Sequence, residues 1–171
     1  LIDGISAYEY RKKLGAELSK EDNIDADLVG PVPDSGNAAA LGYSQKKKLK
    51  FDLGLIRNHY VGRTFIEPAQ KIRSLGVKLK LNANRSSIKN KKVILVDDSL
   101  VRGTTSHKIV NMLYDAGAKE VHLRIASPEI RYPDFYGIDM PSKKELLAAN
   151  MSVDEICNHV NAKSLKFLSI E

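Results

Sequence analysis

The stretch from Val93 to Ser106 reads V-I-L-V-D-D-S-L-V-R-G-T-T-S, and it limits the fold more than any other part of the chain. Val93-Ile94-Leu95-Val96 are four consecutive apolar residues, three of them β-branched, which predicts a strand buried on both faces. A helix follows from about Thr104, because Ile109, Met112, Leu113 and Ala116 fall at helical spacing and Gly117 is a natural C-cap. Val121, Leu123 and Ile125 then alternate with His122 and Arg124, which reads as a half-exposed strand. Strand, helix and strand make one βαβ unit. The expected fold class is therefore α/β, with a mostly parallel sheet flanked by helices.

Other segments fit this frame. A helix is predicted over Ser6 to Leu18, opening on a Ser6 cap and closing near Glu21. Leu28 to Val32 reads as a strand running into the loop Pro31-Val32-Pro33, and a helix follows from Ser35 with Ala38, Leu41 and Gly42 on one face. Residues Arg57 to Arg85 are long, basic and broken by Gly62, Pro68 and Gly76, with room for a short helix near Glu67 to Ser74. Such a stretch inside a compact domain is often a lid or binding loop. The tail from Pro128 to Glu171 carries two short helical patterns and ends on Leu165 to Ile170, which reads as a strand; it is expected to form a small cap over the sheet. No repeat divides the chain, so residues 1–171 read as one domain with a lid at about 57–85 and a cap at about 128–171.

Bulk properties narrow the function class only partly. No apolar run approaches the ~20 residues needed to span a bilayer, and Leu1-Ile2-Asp3-Gly4 does not open a signal peptide, so a cytoplasmic protein is expected. There is no initiator Met, which suits a fragment or a processed product. The net charge of +6 fits either a solvated lysine-rich surface or a phosphate-bearing partner, and cannot choose between them. Cys157 is the sole cysteine, so it can form no internal disulfide, which suits a reducing compartment. One thiol cannot build an iron–sulfur cluster. Cys157 sits in a helical pattern and reads as a packing residue.

Chemistry concentrates in the opening string. Open parallel sheets bind ligands at the carboxyl ends of their strands, where Asp97 and Asp98 fall. Arg102, Gly103 and the hydroxyls of Thr104, Thr105 and Ser106 then open a helix, whose first turn offers unpaired amides to an anion. Two carboxylates are poor ligands for that anion but suit sugar hydroxyls or Mg²⁺ one sugar-length away. Taken alone, the two acids are turn chemistry and the threonines a helix cap. The whole string behind a buried strand favours a binding site.

These residues resemble the diphosphate-sugar binding motif of the type I phosphoribosyltransferases, and D-D-S-L-V-R-G-T-T-S is similar to the form found in amidophosphoribosyltransferases. The segments Ile2-Asp3-Gly4, Pro31-Val32-Pro33-Asp34-Ser35-Gly36, Arg57 to Ile66, Lys80-Leu81-Asn82 and Tyr136-Gly137-Ile138-Asp139 fit the same family in order. The resemblance implies a transferase acting on 5-phosphoribosyl 1-diphosphate and ammonia in the first step of purine synthesis. Asp97 and Asp98 would face the ribose hydroxyls and, with Ser35, an Mg²⁺ ion. Ser99, Leu100, Val101, Arg102, Gly103, Thr104, Thr105 and Ser106 would cradle the 5-phosphate. Arg63 and Lys80 would reach the diphosphate from the lid, and Tyr60 would take part in its closure. On their own, Arg63 and Lys80 read as solvated surface charges.

The resemblance also implies a homo-oligomer and, in the full enzyme, an N-terminal glutaminase domain with a leading Cys nucleophile. Neither that domain nor that Cys is in this chain. Some members hold an iron–sulfur cluster with one ligand near Asp134; an aspartate there implies the cluster-free type. Gly36 and His59 also stand where other residues are common. Two alternatives remain open: a salvage enzyme acting on a nucleobase, and a regulator of the same fold that binds RNA or a nucleotide. Membrane and nucleic-acid partners are not expected.

Overall fold

The computed structural model describes residues 1–58, 81–133 and 142–170. Helix α1 (Ala7–Lys20) begins as predicted: the Ser6 hydroxyl accepts from the Glu9 amide at 3.2 Å, and the helix closes on Glu21. Strand β1 (Leu28–Pro31) is buried along its whole length, and α2 (Asn37–Lys47) follows. Its buried residues include Ala38, Ala39, Ala40, Gly42 and Tyr43, whereas Leu41 is only half-buried, not part of the inner face expected of it. The cause is a close crossing with α1. A Cβ on Gly42 would stand 2.0 Å from the Lys12 carbonyl oxygen, and one on Gly15 would stand 1.9 Å from that of Ala39. Only small residues fit that contact.

Strand β2 (Leu55–Arg57) pairs antiparallel with β3 (Leu81–Ala83), setting Arg57 opposite Leu81 in a separate two-stranded ribbon. A short helix α3 (Arg85–Ile88) leads into β4 (Lys92–Asp97), then α4 (Thr104–Asp115) and β5 (Glu120–Ile125). This is the βαβ unit read from the sequence, and β4 pairs parallel with both β1 and β5. Gly117 does adopt a positive φ of +101°, one residue beyond the Ala116 cap. The proposed helix near Glu67 to Ser74 lies outside the described residues.

In its described part the tail packs two helices over one face of the sheet and adds its last strand to the sheet edge. After a 3₁₀ turn (Lys143–Glu145), α5 (Leu147–Asn150) and α6 (Val153–Val160), strand β6 (Ser164–Phe167) pairs parallel with β5. The sheet order is β1-β4-β5-β6. Its two faces carry separate cores. One gathers Leu28, Val93, Leu95, Val121 and Leu123 with Ile109 and Leu113 of α4 and Ile156 of α6. The other gathers Val29, Ile94 and Val96 with Leu18 of α1 and Ala39, Ala40 and Tyr43 of α2.

Strand β5 departs from the half-exposed reading: His122 and Arg124 are 5% and 2% exposed. They lie on the α1–α2 side, where a polar network replaces solvent. Arg124 donates from Nε to Asp22 Oδ2 at 2.5 Å and from Nη2 to Asp22 Oδ1 at 3.3 Å. Tyr43 donates to Asp22 Oδ2 at 2.6 Å, and Arg124 Nη1 reaches Ser164 Oγ at 2.9 Å. His122 spans Ser164 Oγ at 2.6 Å and Glu120 Oε2 at 3.0 Å. Burial acts against the charge on Asp22, but the hydrogen bonds from Arg124 and Tyr43 and the guanidinium charge win and hold its carboxyl below the usual range. Burial pushes the His122 imidazolium down and the Tyr43 phenol far up.

Candidate active site

The connection after β1 puts α2 on one face of the sheet, and the connection after β4 puts α4 on the other. Strands β1 and β4 are neighbours, so the chain leaves them in opposite directions and opens a crevice at their carboxyl ends. Parallel sheets bind ligands at such points. Two segments singled out in the sequence meet there. Ser35, in the loop after β1, donates from Oγ to Asp97 Oδ1 at 3.2 Å, although the residues are 62 positions apart.

Asp97 closes β4. Its Oδ1 also accepts from the Asp98 amide at 2.8 Å. Burial, opposed by that amide and reinforced by the charge of Asp98, raises its pKa to about 7. A carboxyl in that state is stabilised as a carboxylate by any cation that enters. Asp98 accepts from Ser99 Oγ at 3.3 Å.

Asp97 and residues 99–106 line a cavity of about 220 Å³. Gly103 makes its shape possible. It takes φ +74° at the N-cap of α4, and a Cβ there would stand 2.3 Å from Leu147 Cδ1. Thr104, Thr105 and Ser106 form the first turn of α4, so their amides have no intrahelical acceptor and the positive end of the helix faces the cavity rim. The cavity is thus suited to a small anion, with hydroxyls and amides as donors.

The donor set Ser35, Asp97 and Asp98 is all oxygen, which suits a hard cation such as Mg²⁺. Among the described residues no group of three or more His, Cys, Asp and Glu forms a metal cage. The set therefore fits an ion that takes its remaining ligands from substrate and water, as Mg²⁺ commonly does.

Tyr60, Arg63 and Lys80 fall within residues 59–80 and Asp134 within residues 134–141, both outside the described residues. The lid reading for 57–85 rests on the same stretch; its described ends are the paired strands of the ribbon. Two features escaped sequence reasoning. Arg57 of β2 forms an ion pair with Asp34, beside Ser35. Glu145 faces Arg102 across 3.8 Å. Neither pair has a local sequence signature. Cys157 is half-buried, donates to the Ala162 carbonyl at 3.2 Å and has its thiol pKa raised by burial, none of which activates a nucleophile.

No protein-family model matches the chain. Curated relatives do. The chain is 57% identical over 171 residues to amidophosphoribosyltransferase of Rhizobium etli, covering 99% of this chain and 34% of that protein. It is 54% identical to amidophosphoribosyltransferase of Methanocaldococcus jannaschii, with 99% and 36% covered. Among solved structures, the glutamine phosphoribosylpyrophosphate amidotransferase of Bacillus subtilis, complexed with ADP and GMP, matches with a TM-score of 0.89 and 50% identity over 99% of this chain and 37% of that one. The four-stranded parallel sheet flanked by helices is the type I phosphoribosyltransferase fold that the sequence resemblance implied. The described helices include none long and apolar enough to cross a membrane. By sequence and fold across 99% of its length, the chain belongs to the amidophosphoribosyltransferase family, of whose members it spans about a third.

Proposed function

We propose that this chain is the phosphoribosyltransferase part of an amidophosphoribosyltransferase, binding 5-phosphoribosyl 1-diphosphate and replacing its diphosphate with ammonia. The observation that carries the reading is the acid pair Asp97-Asp98 at the β1/β4 crevice, one step from an anion-shaped cavity lined by residues 99–106. In this reading the 5-phosphate sits on the amides and hydroxyls of residues 99–106. The ribose hydroxyls face Asp97 and Asp98. Ammonia forms the new C–N bond at the anomeric carbon as the C–O bond to diphosphate breaks, and the surplus proton leaves to solvent.

The reaction places positive charge on the ribose ring, and two carboxylates held beside it stabilise that charge without moving. Orientation supplies much of the remainder. When bound, Mg²⁺ offsets the charge of the leaving diphosphate; Ser35, Asp97 and Asp98 would hold it. Arg63 and Lys80 are assigned to the same diphosphate, and Tyr60 to the substrate side, on sequence resemblance alone. In the full enzyme ammonia would come from glutamine on a glutaminase domain, within a homo-oligomer. We place the protein in the cytoplasm, where a sole thiol such as Cys157 stays reduced.

The test is Asp98→Asn, which keeps size and removes charge. Turnover should fall at least about tenfold, roughly 1.4 kcal/mol of barrier. Wild-type turnover in that variant with Mg²⁺ limiting would remove the acid pair from the mechanism.

A further inference from the structure

The described segment from residue 142 onward meets the cavity loop through Glu145, Leu147 and, beside Gly103, Val160. The Leu147 amide donates to the Val101 carbonyl at 3.0 Å. The Leu147 side chain packs onto Gly103, where a Cβ would stand 2.3 Å from its Cδ1. Glu145 Oε1 lies 3.8 Å from Arg102 Nε. The other Glu145 oxygen is already held, for Oε2 accepts from the Ser142 amide at 3.0 Å and from its hydroxyl at 3.2 Å. One carboxylate oxygen thus fixes Glu145 to its own turn, and the other faces the arginine on the loop.

Arg102 and Glu145 have side chains 54% and 52% exposed. An ion pair this wet contributes little to folding. Its place is what gives it a use: Arg102 lines the cavity assigned to the phosphate, and its neighbours Val101 and Gly103 are the two loop residues that Leu147 holds. A loop whose backbone amides act as donors must be fixed to well under an ångström to bind well.

We propose that Glu145 is a positioning residue for the anion-binding loop, acting through Arg102 to set the loop for a phosphate monoester. This rests on the phosphoribosyltransferase reading above, and it deepens that reading by adding a residue outside the string from which the site was identified. Glu145 touches no reacting atom. Its contribution is made alike in substrate and transition state, so it acts on KM and leaves kcat unaltered.

The test uses the full-length protein with Glu145→Gln, which keeps an oxygen for the Ser142 amide and removes the charge that faces Arg102. Ribose 5-phosphate affinity, read by calorimetry, should weaken about three- to tenfold, and KM for 5-phosphoribosyl 1-diphosphate should rise by a similar factor with kcat within about twofold. The loss should shrink as salt is raised from about 0.05 to 0.5 M, since a half-exposed pair is screened. In an Arg102→Ala background the Glu145→Gln effect should vanish, because contacting partners are non-additive. A Glu145→Gln loss that persists unchanged in that background would overturn the proposal and leave a general effect on the turn. Unchanged or tighter ribose 5-phosphate binding in Glu145→Gln would overturn it too, and leave the function standing. A wild-type protein that binds neither phosphate compound would overturn both.

Discussion

Replacing Asp22 with Asn should cost this fold about 3–5 kcal/mol at neutral pH. The carboxylate is 6% exposed and accepts from Arg124 Nε, Arg124 Nη2, Tyr43 Oη and the Ile24 amide. Asn keeps the volume and one acceptor oxygen but turns the other into a donor that faces donors. Whichever oxygen becomes the NH2, two hydrogen bonds to the charged carboxylate are lost or inverted, one from Arg124 and one from Tyr43 or the Ile24 amide, each worth about 1.5–3 kcal/mol. The Arg124 guanidinium, 2% exposed, is then left buried without a counter-charge. Both routes reach the same few kcal/mol. For a domain of this size each kcal/mol moves Tm by about 2–4 °C, so the fall should be roughly 6–20 °C. The assay is urea denaturation followed by far-UV circular dichroism, with thermal melts beside it. The pH dependence adds an independent check. The Asp22 pKa is lowered in the folded chain, so its contribution is complete above about pH 4 and is lost as pH falls further. The gap between wild type and variant should therefore be full at pH 7 and should narrow below pH 4. A loss under about 1 kcal/mol at pH 7 would show instead that the buried arginine tolerates losing its only described carboxylate partner.

Asp97→Asn should act oppositely on stability. The folded pKa of Asp97 is raised to about 7, so the folded chain keeps a proton that the unfolded chain releases near pH 4, and wild type loses stability as pH rises between them. The variant lacks that loss: parallel denaturant titrations should show it gaining on wild type with a slope of at most about 1.4 kcal/mol per pH unit from pH 4 to 7, while phosphoribosyl transfer falls. Parallel stability curves across that range would show that burial does not govern this carboxyl. Gly103→Ala should destabilise by about 2–4 kcal/mol and weaken ribose 5-phosphate binding, because a positive φ and the Leu147 contact both exclude a Cβ. A denaturation midpoint and affinity unchanged from wild type would mean the loop shape does not depend on this glycine.

How far the sequence reaches depends on how local each signal is. Strand β4 was legible because its four apolar residues are contiguous, and α4 because its apolar residues repeat at the helical period from Thr104 onward. Ser6 could be read as a cap because its acceptor role is satisfied three residues away. The burial of Arg124 could not be read, because Asp22 lies 102 positions distant and alternation alone looks the same whether the polar face meets water or a buried carboxylate. Strands β2 and β3 have three residues each, too few to show a period. Strand β6 reads from sequence as part of the cap over the sheet because its partner, β5, lies 42 positions away, beyond any local signal. At the site, the string 97–106 was recognisable on its own chemistry, whereas the Ser35–Asp97 hydrogen bond and the Arg102–Glu145 pair exist only once the loops are folded together.

The proposed function stands or falls on transfer of a phosphoribosyl group to ammonia. The most direct measurement is diphosphate release from 5-phosphoribosyl 1-diphosphate and Mg²⁺ by the 171-residue chain, at mildly alkaline pH, with ammonia or glutamine as the sole nitrogen donor. Under the proposed function, release depends on ammonia and forms phosphoribosylamine, with none above background from glutamine. Release that is independent of ammonia, or that appears only when a nucleobase is supplied, would contradict it.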